Sequence, residues 1–165
     1  LRLGDVDLTR VTGDDRRTVI EVIQQDAHLF DTTIVENIRL ARRSATDAEI
    51  EQLLTEVGLG DWVAGLPDGI HTRVGRFGRS VSGGQKQRIA VARGLVAQAA
   101  VVVADEPTEH LDPDNAALVM AALRRHCRDR ALVLITHNVA EAGLCDRVIP
   151  VHPVPGVVAT ARVGN

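Results

Sequence analysis

Aromatic residues are nearly missing from this sequence: it has no tyrosine, and Phe30, Phe77 and Trp62 are its only large rings. Proteins that hold single-stranded nucleic acid stack bases on such rings, so that role is disfavoured from the outset. Lysine is scarcer still, with Lys86 standing alone. A net charge of -3 offers no broad basic face, and the local patch Arg124, Arg125, Arg128 and Arg130 reads as a solvated helix end favoured by the helix dipole. The two cysteines, Cys127 and Cys145, show neither CxxC nor Cys/His metal spacing, which leaves two free thiols in a reducing compartment as the expectation. No apolar run approaches the roughly 18 residues that span a bilayer. The longest candidate, Gly94 to Ala104, is broken by Gln98 and runs into acids. No signal-peptide pattern is present, and the first residue is Leu1 rather than methionine, so a fragment or processed piece is expected.

What is present fits one folded domain: 165 residues, 45% of them hydrophobic. The β-branched run Thr18 to Gln24 predicts a strand, and Thr33 to Ala41 a helix. Thr46 with Glu49 three residues on forms a capping box, and Ile50, Leu53, Leu54 and Val57 then recur at helical spacing. That helix should close at Gly58 or Gly60. Pro67 to Val81, rich in glycine and charge, reads as a surface loop. Ser82 with Gln85 is a second cap, leading into a helix through Ala97 that is apolar nearly all round and therefore buried. Ala99 to Ala104 has the unbroken apolar character of a central parallel strand. Asp114 to Arg128 predicts a helix with Ala116, Val119, Leu123 and Cys127 on one face. Ala131 to Thr136 predicts a second buried strand, and Asp146 to His152 and Gly156 to Ala161 short edge strands. Helices alternating with buried strands imply an α/β fold with a parallel sheet.

Three clusters carry chemistry. Ser82-Gly83-Gly84-Gln85 opens a helix with unobstructed N–H groups at its positive end, an anion site by construction. Asp105 and Glu106 end a buried strand at the sheet edge where α/β folds bind ligands. Asp105 suits Mg²⁺, usually held through water, and Glu106 suits the polarisation of an attacking water. His137 ends the next predicted strand, from which it could reach the same edge and contact a terminal phosphate.

Together these residues resemble the ABC ATPase family, in family order and spacing. Ser82 to Gln85 is similar to its signature, Asp105-Glu106 to its Walker B end, Glu109-His110-Leu111-Asp112 to its D-loop and His137 to its switch histidine. Gln25 to Phe30 resembles the Q-loop and Thr33 to Ile38 the segment after it. Leu66 to Gly75 resembles the loop before the signature in the exporter branch. The resemblance covers nearly everything to about Val151. It implies a P-loop NTPase-like core with a parallel sheet, formed by residues 1–32 and 98–165, and an inserted helical subdomain over about 33–97. It also implies ATP and Mg²⁺ as ligands. Gln25 would sense the metal and the attacking water, Asp105 would serve the metal, Glu106 would be the general base and His137 would grip the γ-phosphate. Ser82, Gly83, Gly84 and Gln85 would close in trans over ATP held by a second ATPase domain, with Asp112 coupling the two sites. Transmembrane domains of an exporter would be the other partner, at the cytoplasmic face of the plasma membrane, with no role for nucleic acid.

One element is missing. The P-loop, G-x-x-x-x-G-K-[ST], needs a lysine followed by Ser or Thr, and Gln87 follows the sole lysine, Lys86. The expectation is N-terminal truncation, with weak or undetectable ATP binding, no hydrolysis by these residues alone, and an apolar sheet face left exposed by the missing strand and helix, hence marginal stability or aggregation. The Glu109-His110 variant of the D-loop resembles the CydC-type half of the exporter implicated in cytochrome bd assembly. Arg76 replaces an acid common before the signature in exporters, which puts the usual contact to the transmembrane domains in question. Two competing readings are an ABC-type ATPase acting on DNA or ribosomes, and a non-catalytic remnant. The segment Leu29 to Thr33 and the loop Leu66 to Gly75 favour the exporter over the first, and the intact Ser82, Asp105, Glu106 and His137 argue against the second.

Overall fold

The computed structural model describes residues 2–3, 5–7, 10, 18–26, 28–76 and 78–151. Two two-residue strands, β1 (Arg2–Leu3) and β2 (Val6–Asp7), pair antiparallel. The candidate site residues stand on a second sheet of β3 (Ile20–Ile23), β4 (Val101–Asp105) and β5 (Ala131–Ile135). Its order is β3-β4-β5, all parallel, with Val22, Val103 and Val133 in register across the three strands. The α/β parallel architecture expected from the sequence is therefore the one observed, with the Ala99–Ala104 run central as anticipated. Because the strands are parallel, their carboxyl ends share one edge. Gln25, Glu106 and His137 follow those three ends.

Between β3 and β4 the chain is helical. Helix α1 (Ile34–Arg39) is capped by Thr33, whose side chain accepts from the Glu36 N–H. Helix α2 (Asp47–Glu56) has both halves of its capping box: the Glu49 carboxylate accepts from the Thr46 N–H at 2.8 Å, and Thr46 Oγ1 accepts from the Glu49 N–H at 3.3 Å. Gly58, at φ +75°, ends this helix, while Gly60 opens α3 (Gly60–Ala64), which decides between the two glycines. A 3₁₀ turn at Gly69–His71 precedes α4 (Gly83–Val96). Ile34, Ile38, Ile50, Leu54, Ile89 and Val91 are fully buried where α1, α2 and α4 meet. After β4 come α5 (Pro113–His126) and, beyond β5, the short α6 (Val139–Ala142). No helix among the described residues is long and apolar enough to cross a membrane.

Four expectations need correction. The first strand is shorter than predicted, because Thr18 and Val19 are helical. Pro67 to Val81 is not merely a surface loop: Ile70, Thr72 and Val74 are buried, held by bridges Thr33 to Arg73 and Val74 to Arg79. The strand Ala131–Ile135 is partly buried, and on one face only. Leu132 and Leu134 pack on the core, whereas Val133 and Ile135 are about half exposed, since no described element covers the face they share with Val22. Asp146 to Val151 pairs with no strand among the described residues. The remaining predicted strand, Gly156 to Ala161, lies outside the described residues. Cys127 and Cys145 are both free, as expected.

Helix α4 meets the sheet at Gly94. A Cβ there would sit 2.4 Å from Ile23 Cγ1 and 2.7 Å from its Cδ1, with Ile23 itself buried. Alanine gains about 1 kcal/mol of helix propensity over glycine, but forced overlap in a packed core costs about 1–3 kcal/mol. Overlap wins at this spacing. Gly94→Ala is expected to lower the unfolding free energy by about 1–2 kcal/mol in urea titrations; an unchanged or raised midpoint would contradict the close helix–sheet contact.

Candidate active site

The pairing of β4 with β5 places Glu106 and His137 against each other. The Glu106 N–H donates to the Ile135 carbonyl at 2.9 Å, extending the ladder one residue past the strand. The Glu106 backbone then turns at φ +45°, a left-handed conformation that is uncommon for a side chain other than glycine and that marks a constrained position. Glu106 Oε1 accepts from the His137 N–H at 3.0 Å and lies 2.7 Å from His137 Nδ1. The carboxylate is largely sheltered, at 16% exposure, while the imidazole is 79% exposed. One carboxylate oxygen is thus committed to His137. The ring presents its far nitrogen to solvent.

This contact raises the His137 pKa above its ordinary 6.5, chiefly through the hydrogen bond to Glu106 and then through that carboxylate's charge. A raised folded-state value means the pairing stabilises the fold fully below the ordinary histidine value. The contribution is lost as pH rises through the raised pKa.

Gln25, two residues beyond β3, donates its Nε2 hydrogen to Glu109 Oε2. Asp105 closes β4 opposite Ile135 and is half-buried. Asp112 caps α5, accepting from the Asn115 N–H at 3.0 Å and from Asn115 Nδ2 at 2.6 Å, and the backbone bond first, then the side-chain bond, hold its carboxyl below the ordinary range.

The tip of α4 is a complete capping box: the Gln85 N–H donates to Ser82 Oγ at 3.1 Å, and the Ser82 N–H donates to Gln85 Oε1 at 2.9 Å. Ser82 Oγ accepts in this arrangement, which leaves its own proton for an outside acceptor. Gly83 faces open space, where a Cβ would meet nothing within 4 Å, so backbone N–H groups at the tip are approachable. Gly84 lies against the D-loop segment, its Cβ position 3.0 Å from Leu111 Cδ2. A cleft of about 400 Å³ is bounded by Gln25, Asp26 and His28, by Gly83, Lys86 and Gln87, and by Glu109 and His110. Gln25, after β3, and the capped helix tip therefore border common space, with Glu109 of the segment after β4 on the same cleft.

The ABC transporter family profile matches residues 1–109 of the 165. This chain belongs to the ABC transporter family. Among its relatives, the ATP-binding cassette sub-family B member 6 of Mus musculus is 34% identical over 149 residues, covering 90% of this chain and 18% of that protein. The glutathione/L-cysteine transport system ATP-binding/permease protein CydD of Bacillus subtilis is 36% identical over 141 residues, 86% of this chain and 24% of the relative. The ATP-dependent lipid A-core flippase of Chromobacterium violaceum is 33% identical over 150 residues, 91% of this chain and 25% of the relative. A solved structure of a bacterial Atm1-family ABC exporter with ATP bound superposes with a TM-score of 0.68 at 34% identity, covering 76% of this chain and 22% of that one. The chain thus spans a quarter or less of the length of these relatives.

Two further residues bear on this ABC domain's candidate site: Arg88, which ends the Ser82–Arg88 run at the start of α4, and Glu141, neither of which has a role assigned from sequence. Arg88 joins three elements: its Nη1 donates to the Gly58 carbonyl at 2.7 Å and to Asn115 Oδ1, and its Nε to the Gly84 carbonyl at 3.2 Å. Burial lowers its pKa, with Asp112 opposing the shift. Glu141 is buried at 6% exposure behind the Glu106–His137 pair. Its only cue in the sequence is an acid four residues after His137.

Proposed function

We propose that this chain is the greater part of the ATP-hydrolysing domain of an ABC exporter and works only when paired with a second such domain. The observation that carries this reading is the Glu106–His137 contact at the carboxyl edge of a parallel sheet. It is supported by Gln25 and the open, capped tip of α4, which border one cleft with Glu109 and His110 of the segment that follows Glu106.

The residues present fit part of a nucleotide site. Asp105 with the Gln25 carbonyl oxygen suits Mg²⁺, which takes one or two protein oxygens and completes its shell with phosphates and water. When bound, the ion offsets charge on the phosphate oxygens. Glu106 has one oxygen committed to His137 and the other available to take a proton from water. When protonated, His137 donates from Nδ1 to Glu106 and can donate from Nε2–H to a phosphate oxygen. Ser82, Gly83 and Gly84 provide N–H and hydroxyl donors to a phosphate arriving from outside the chain, with Gln85 fixing Ser82, and Asp112 anchors the segment that would face the partner. Nothing here can serve as the P-loop lysine, so this chain by itself is expected to turn over no ATP.

The division into a helical unit over about 33–97 and a core of 1–32 with 98–165, the transmembrane partner and a place at the cytoplasmic face of the plasma membrane belong to the same proposal. So does the CydC-type assignment, towards which the similarity to CydD points without selecting it over other exporters.

The test is association with a partner ATPase domain that has its own P-loop. With ATP and Mg²⁺, sedimentation should show a complex, and Ser82→Arg, which fills the helix tip, should weaken it at least about tenfold, or 1.4 kcal/mol. Turnover by this chain alone, or nucleotide-independent association that ignores Ser82→Arg, would overturn the reading.

A further inference from the structure

We infer that Glu141 is a positioning residue that sets the Glu106–His137 contact; the inference rests on the reading of that pair as the catalytic one. Glu141 lies on α6 and is 6% exposed. Its Oε1 accepts from Thr108 Oγ1 and, at 3.2 Å, from Asn138 Nδ2, while Oε2 accepts from Thr136 Oγ1 at 2.9 Å. Thr108 stands two residues beyond Glu106, and Thr136 immediately precedes His137. One carboxylate therefore ties the loop carrying the base to the strand end carrying the imidazole.

The direction of these bonds explains why an acid is required. Thr136 Oγ1 already accepts from the Asn138 N–H at 3.0 Å, so its proton is the one directed at Glu141. Thr108 directs its hydroxyl proton at the other oxygen. A carboxylate accepts on both sides. A glutamine of the same shape must present N–H₂ to one of the two threonines, which leaves a hydroxyl proton in a buried place with no acceptor. Burying a carboxylate costs several kcal/mol unless its oxygens are well met, and the three donors here are all neutral. The arrangement holds two loops in fixed relation, which is what the short contact between Glu106 and His137 needs.

The His137 tautomer reads out this positioning without reading charge. With ¹⁵N-histidine in the 165-residue chain, above the His137 titration, the neutral ring should hold its proton on Nδ1, facing Glu106. Glu141→Gln should lower that Nδ1–H fraction at least about twofold, towards the Nε2–H form that free histidine prefers. Thr108→Val, a milder change, should move it the same way by less. Gly94→Ala serves as the destabilised control and should leave the tautomer alone. If Glu141→Gln and Thr108→Val lower only the melting temperature, Glu141 is merely structural and the inference is wrong. If Glu141→Gln does not fold, Thr108→Val decides by itself. If Glu106→Ala also leaves the tautomer unchanged, the pair itself is not formed and the inference falls with it. A tautomer that responds to Glu141 while ATP turnover ignores Glu106→Gln would uphold the positioning and sink the catalytic reading instead.

Discussion

Replacing Glu106 with glutamine, in the domain completed by its phosphate-binding loop and partner, is expected to lower ATP turnover by about 10²–10⁴-fold. Glutamine has the same shape, and its carbonyl oxygen can still accept from the His137 N–H, so the loop should keep its place. What is lost is the second carboxylate oxygen, the only part of Glu106 not engaged by His137 and thus the part able to take a proton from water. An amide cannot do so at neutral pH. Nucleotide binding should survive, because Glu106 is not among the groups proposed to hold phosphate or metal. Steady-state hydrolysis alongside nucleotide titration would separate the two effects. Loss of binding in step with turnover would show that Glu106 acts on the ligand's fit; turnover within tenfold of the parent would show that another group takes the proton.

The second large effect should come from a residue that touches no nucleotide. Arg88→Met is expected to cost about 2–4 kcal/mol of folding stability, since a hydrogen bond to a charged donor contributes about 1.5–3 kcal/mol and buried acceptors left unmet add to the loss. The guanidinium joins the end of α2 at Gly58, the tip of α4 at Gly84 and the first turn of α5 at Asn115. Methionine keeps the aliphatic bulk and removes all the donors. Lysine should rescue little, because a single ammonium on a flexible stem cannot reproduce a planar fork aimed at three acceptors. Urea unfolding measures both variants. A methionine variant within about 0.5 kcal/mol of the parent, the range of ordinary surface substitutions, would show that these bonds are exchanged for water without loss.

The parts of this domain that could be read from its sequence are those decided by near neighbours. Thr46 with Glu49 and Ser82 with Gln85 are capping boxes whose partners lie three residues apart, and both form as expected. The central strand was legible because Val101 to Ala104 is apolar on both faces, and its acids mark its carboxyl end. The active-site candidates at two strand ends followed from that topology, Gln25 came only from the family resemblance, and Glu106 and His137 indeed touch. What escaped depends on distant pairing. Val74 is buried because Arg73 bridges Thr33, and nothing near position 74 announces it. Val133 and Ile135 look like core residues in a hydrophobicity profile, and their half-exposed state accords instead with the uncovered apolar sheet face expected from the absence of the phosphate-loop segment. Asp146 to Val151 has strand composition without a strand to pair with among the described residues. Arg88 stands in the legible run Ser82 to Arg88, but its bond to Asn115 spans 27 positions and that of Glu141 to Thr108 spans 33, separations that no local pattern encodes.

The half-exposed valines of the sheet bear on the order in which the molecule is made. Helices α1, α2 and α4 close a core among residues near one another in sequence, and such local contacts form early. Among the described residues the sheet is covered from one side only, and parallel sheets are stable when both sides are covered. A nascent chain at this stage carries a flat, greasy plane beside a settled helical cluster. Covering that plane would also steady the strand ends from which Glu106 and His137 project, so completing the proposed catalytic edge and shielding the chain from aggregation would be linked.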